Sequence, residues 1–76
     1  MKVQTCNEII QATKHAEEKN PFFAENPQHA VSLVAEELGE MAKAVNDGNL
    51  EQAKAEVLDT IAILVRILYL LDDLRD

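Results

Sequence analysis

Seventy-six residues make one domain, 1–76, and fourteen acids against seven bases give it a net charge of −7. That balance excludes a protein built to grip the backbone of a nucleic-acid polymer or an anionic membrane surface, and it suits one that collects cations. A chain this short buries only about 60% of the surface it exposes when unfolded, and with Cys6 as its only cysteine no internal disulfide makes up the deficit.

A single cysteine fits a reducing, cytoplasmic setting. Met1-Lys2-Val3-Gln4 leads into polar residues rather than a signal-peptide core. The longest apolar run, 61–71, is broken by Arg66 and falls short of the ~20 residues that span a bilayer. It reads as a core or interface helix. Cys6 reads as a small packed residue, because no His-Asp or His-Asn constellation stands near to activate it.

In chain order, Thr5-Cys6-Asn7-Glu8 has the form of a capping box and predicts a first helix over about 5–19, with Thr5 as N-cap. Its apolar stripe, Ile9, Ile10, Ala12 and Ala16, is thin, so this helix must pack on something. His15 lies among polar neighbours and reads as a surface residue. Asn20-Pro21 ends the helix, since the residue before proline avoids the α region. Phe22 and Phe23 follow in a loop running to Glu25. They are either a plug over the core or a stacking surface for a flat ligand.

Asn26 as N-cap and Pro27 at N1 open a second helix, 27–46. Val31, Val34, Leu38, Met41 and Val45 follow the 3-4-3-4 spacing of a bundle seam. Advancing about 100° per residue, Glu37 falls about 60° to one side of Val34 and Glu40 about 120° round on the same side. Ala30, Leu33 and Ala44 share that flank, and Glu36 points to solvent. Gly39, mid-helix at a cost of ~1 kcal/mol relative to alanine, suggests close packing.

Asn46-Asp47-Gly48-Asn49 reads as a tight turn. Asn49 then caps a third helix, 50–74, with Gln52 at N3 to complete a second capping box. One face of this helix carries Val57, Ile61, Leu64, Val65 and Leu68; the other carries Glu56, Asp59, Ile63, Ile67 and Leu70. A helix apolar on both sides is buried on both sides, so the surplus face meets another subunit. The expected fold is all-α: a short helix plus an antiparallel helical hairpin, completing a four-helix-type bundle by homo-oligomerisation.

The hairpin sets a register. Glu40 and Glu56 lie at one height and Glu37 and Asp59 at the next, with Leu33/Ile63 and Ala30/Arg66 further out. The nearer rung sits roughly 12 Å from the turn. Four carboxylates this close raise one another's pKa unless a cation sits among them. Oxygen donors without thiolate or imidazole suit Mg²⁺, or Mn²⁺ in its place. Mg²⁺ held by carboxylates commonly shares its shell with substrate phosphates, which points to metal-assisted attack of water on phosphorus. The competing reading is surface decoration, with pairs such as Glu40/Lys43 on a solvated helix face. Arg66, inside the apolar run on the side of Asp59, is either a structural arginine or a phosphate clamp. Lys54 and Lys43 are weaker phosphate candidates.

The pattern EELGE, with ExxD beginning sixteen residues after Glu40, resembles the signature of the MazG-like all-α nucleoside triphosphate pyrophosphohydrolases. VAEELGEMAKAVNDG and AKAEVLDTIAILVRIL carry the resemblance over 33–68. It implies hydrolysis of a (d)NTP to a (d)NMP and pyrophosphate in nucleotide-pool house-cleaning. It also implies Mg²⁺ on Glu37, Glu40, Glu56 and Asp59, with Glu36 assisting, and a homodimer or homotetramer. The chain departs from the family in three ways: Arg66 stands where a polar residue such as Asn is common, the chain is short, and it lacks the tryptophan found near the start of some members. Base recognition would fall to Phe22, Phe23, Asn7 or Lys14. The alternative reading is a non-catalytic helical oligomer or a regulatory nucleotide- or metal-binding protein.

Overall fold

The computed structural model describes residues 1–24 and 26–75, and among them the chain is all-helical: α1 (Val3–Lys19), α2 (Pro27–Asn46) and α3 (Leu50–Arg75). The expected reach of the first loop to Glu25 lies outside the described residues. α3 is the central element, packing on both α1 and α2, and the other two have no packing of their own against each other.

Two helix starts behave differently. Asn26 caps α2 as its sequence demands, accepting the His29 N–H at 2.8 Å on Oδ1, with Pro27 just inside. At α1 the capping-box expectation fails. The helix begins at Val3 with Lys2 as an extended N-cap that offers no side-chain acceptor, and the Cys6 N–H donates to the Lys2 carbonyl. Thr5 therefore sits inside the first turn. Nothing in Val3-Gln4 opposes α geometry, so the helix grows two residues past the expected cap.

Between α2 and α3 the chain reverses through a Schellman turn. Asp47 is the C-cap and Gly48 follows at φ +73°, the left-handed conformation that glycine reaches without a Cβ clash. Gly48 N–H donates to the Val45 carbonyl at 3.1 Å and Asn49 N–H to the Ala44 carbonyl at 3.0 Å. Asn49 then caps α3 with its own side chain, accepting the Gln52 N–H at 3.1 Å. One residue thus ends α2 and begins α3.

The core is thin. Its buried apolar residues are Ala30, Ala44, Ala53 and Ala62, and among the described residues no large side chain is fully buried. Two buried threonines, Thr13 and Thr60, turn their hydroxyls back onto the Ile9 and Glu56 carbonyls at 2.8 Å and so cost no unpaired donor. The radius of gyration is 13.1 Å, against about 11 Å for a compact chain of this length.

The small residues explain which face of α2 meets α3. Ala30, Ala44 and half-buried Leu33 and Glu37 lie inward, whereas Val31, Leu38 and Val45 of the expected seam are exposed. The seam therefore packs only in part within the chain, through half-buried Val34 and Met41, and the buried contact falls on its alanine-rich flank, where small side chains let the backbones approach. Val31-Leu38-Val45 on α2 and Leu50-Val57-Leu64-Leu71 on α3 each repeat every seven residues, and all are 38–76% exposed. Counted from the α2–α3 contact, both stripes fall on the side of the hairpin opposite Glu40 and Asp59.

Gly39 is also not closely packed within the chain, since a Cβ there would meet nothing within 4 Å.

Candidate metal centre

The carboxylates converge where α2 crosses α3. Oxygens of Glu37, Glu56 and Asp59 lie within 4.8 Å of one another. Glu37 comes from the inward flank of α2, and Glu56 and Asp59 sit three apart on α3, on one helix face. Burial is graded across the group: Glu56 is buried, Glu37 half-buried and Asp59 exposed. Glu40 stands at the edge, exposed, with its carboxyl against that of Glu56. Glu36 is exposed and faces Glu40.

The electrostatics follow from that crowding. Burial, the contact with the Glu56 carboxyl and the charges of Glu40, Glu56 and Asp59 together push Glu37 up to about 7. Glu40 is raised as well, by the Glu56 carboxyl first, then by its own burial and by Glu36 and Asp59. Two oxygens in the nest, Glu37 Oε2 and Glu56 Oε2, are buried with no hydrogen-bond partner. Unpaired buried carboxylate oxygens are costly, so the nest favours either a proton or a cation between them.

Glu56 is held on one side. Gln52 Nε2 donates to Glu56 Oε1 at 2.6 Å. This bond replaces the second half of the capping box expected at Asn49. It was missed because the Asn49 N–H that Gln52 would have served already belongs to the Schellman turn. The spacing Gln52-x-x-x-Glu56, one helical turn, was the available signal.

Of two surface hollows, one borders the nest and the other lies apart from it. One, about 420 Å³, lies toward the turn and is bounded by Glu40, Lys43, Ala44, Asn49, Gln52 and Glu56. The other, about 240 Å³, lies further along α3 among Phe23, Arg66, Tyr69 and Asp73.

The candidate substrate contacts divide. Arg66 is buried, and its guanidinium caps the C-terminal end of α1, donating to the Asn20 carbonyl at 2.7 Å and the Ala16 carbonyl at 3.3 Å. Phe23 covers it, the ring centroid 4.6 Å from the guanidinium carbon. Phe22 is 93% exposed. Of the adjacent aromatics only Phe23 acts as a plug. Lys54 pairs with Glu8 of α1 at 2.6 Å. Lys43 alone among the candidate cations borders the hollow beside the nest.

Compared with known protein families, curated proteins and solved structures, the chain matches none of them.

Proposed function

We propose that the chain is a Mg²⁺-dependent nucleoside triphosphate pyrophosphohydrolase, converting a (d)NTP and water to a (d)NMP and pyrophosphate. The observation that carries this reading is the convergence of Glu37, Glu56 and Asp59 with unpartnered, buried Oε2 atoms on Glu37 and Glu56. The donor set, all carboxylate oxygen, fits a hard divalent cation. Glu37, Glu40, Glu56 and Asp59 would hold it. Mg²⁺, or Mn²⁺ in its place, polarises phosphoryl oxygens and makes water a better nucleophile when bound. Glu37, poised near neutrality, would release its proton on binding such a cation. Lys43 borders the adjoining hollow beside Asp47, Glu40 and Glu56, and would be the lysine available to a metal-bound phosphate there.

The same reading includes self-association into a four-helix-type homodimer or homotetramer. Its support is the pair of exposed heptad stripes on α2 and α3, which carry the spacing of helices that pack against helices. No described helix is long and apolar enough to cross a membrane.

A second reading, a non-catalytic oligomer or regulatory nucleotide- or metal-binding protein, draws on a specific observation. Arg66 and Lys54 spend their charge on α1, which leaves few cations for a triphosphate.

One assay separates the readings: incubation with each (d)NTP and Mg²⁺, scored by pyrophosphate release. Release that disappears in Glu37→Gln and Asp59→Asn supports the enzyme. Nucleotide or metal binding without turnover supports the second reading, and neither activity nor binding removes both.

A further inference from the structure

Gln52 is held by its backbone and released by its side chain. Its N–H is bound to Asn49 Oδ1 at 3.1 Å, which fixes its place at the first turn of α3. Its carboxamide has no partner to serve at the cap, because the Asn49 N–H is taken by the Ala44 carbonyl at 3.0 Å. The side chain runs one turn forward instead and donates from Nε2 to Glu56 Oε1 at 2.6 Å. Among the described residues this is the hydrogen bond that the Glu56 carboxylate receives, and its other oxygen, Oε2, is buried and unpartnered. Glu56 itself is 8% exposed.

We infer that Gln52 is the positioning residue of the metal centre: by holding Oε1 it fixes the carboxylate plane of Glu56 and presents Oε2 as the ligand atom. This rests on the proposed reading of the nest as a cation site. The physical reason is orientation. A glutamate side chain has several rotatable bonds, and ordering it as a cation arrives costs free energy that a pre-made hydrogen bond has already met. Partners that orient ligating carboxylates are typically worth 10–100-fold in metal affinity. The donor is itself placed by the Gly48 turn through Asn49, so the geometry of the turn is transmitted to Glu56 through two hydrogen bonds.

The test uses Mn²⁺ alone, with its affinity measured by electron paramagnetic resonance on the full chain without nucleotide. Gln52→Met keeps length and helix propensity but removes the donor, and Glu56→Gln is the ligand control. The expected result is a tenfold or greater loss of Mn²⁺ affinity in Gln52→Met, with the metal-free protein still helical and unfolding cooperatively. In wild type, the Gln52 side-chain amide protons should be protected from exchange. Gln52→Met binding Mn²⁺ within twofold of wild type, while Glu56→Gln fails to bind, overturns the positioning role and leaves the metal centre standing. Wild type binding no Mn²⁺ overturns the metal centre, and the role of Gln52 with it.

Discussion

Glu37 and Glu56 meet across the α2–α3 contact with one oxygen of each buried and unpartnered, although they sit on different rungs of the simplest hairpin register. Oxygens of Glu37, Glu56 and Asp59 all come within 4.8 Å of one another, so Glu37 does not face Asp59 alone. Burial first, and then the Glu56 carboxyl and the charges of Glu40, Glu56 and Asp59, hold Glu37 near 7.

The first prediction is a pH dependence. A carboxyl raised from 4.5 to about 7 binds its proton more tightly in the folded state. Its contribution to stability is therefore complete below about pH 4.5 and is lost as the pH rises through 7. In chelator, urea melts should show wild type losing on the order of 1–2 kcal/mol more than Glu37→Gln between pH 5 and pH 8, after allowance for screening at a half-exposed site. Equal losses in the two proteins would mean that Glu37 titrates normally.

Arg66 joins helices before it does anything else. Arg66→Met removes two charge-assisted hydrogen bonds to α1 and the stacking on Phe23. The expected cost is about 2–4 kcal/mol in thermal or denaturant unfolding. A variant of unchanged stability whose only defect is a raised KM for nucleotide would assign Arg66 to substrate instead.

The heptad stripes predict self-association. Leu64→Lys and Leu38→Lys place charge at positions of α3 and α2 that are 46% and 52% exposed, where a lysine can carry its charge out into water. Light scattering should find wild type as a dimer or larger, and each variant shifted toward monomer. A monomeric wild type at micromolar concentration would remove this part of the proposal.

The two glycines should respond in opposite directions. Gly48→Ala forces a Cβ into φ +73° and should cost about 1 kcal/mol. Gly39→Ala adds a Cβ to open space and should gain up to about 1 kcal/mol in the lone chain. A loss at Gly39 that grows with protein concentration would place that position under a second subunit.

Much of this was legible in the residues. Asn26-Pro27, Asn20-Pro21 and Asp47-Gly48-Asn49 mark ends and caps by local chemistry, and all three boundaries fall where that chemistry places them. Glu37, Glu40, Glu56 and Asp59 were also visible as a group, because i,i+3 spacing and a hairpin register depend only on helix geometry; the structure gathers Glu37, Glu56 and Asp59 and leaves Glu40 at the edge. Thr5 misled because a capping pattern carries no information about whether the preceding residues also accept α geometry. The expected seam misled for a related reason. Periodicity finds an apolar stripe but not the partner that covers it.

What the sequence by itself determined is therefore the three helices, their ends apart from the start of α1, and the presence of acids on facing turns, all consequences of local sterics and helical periodicity. Tertiary structure decided the rest. It turned the alanine flank of α2 toward α3 and left Val31, Leu38 and Val45 of the expected seam exposed, because small side chains allow the closer approach. It tied Arg66 to the end of α1, fifty residues from Ala16 along the chain. It also freed Gln52 from its cap to hold Glu56. Each of these depends on which groups another segment has already satisfied, and no window of neighbouring residues contains that information.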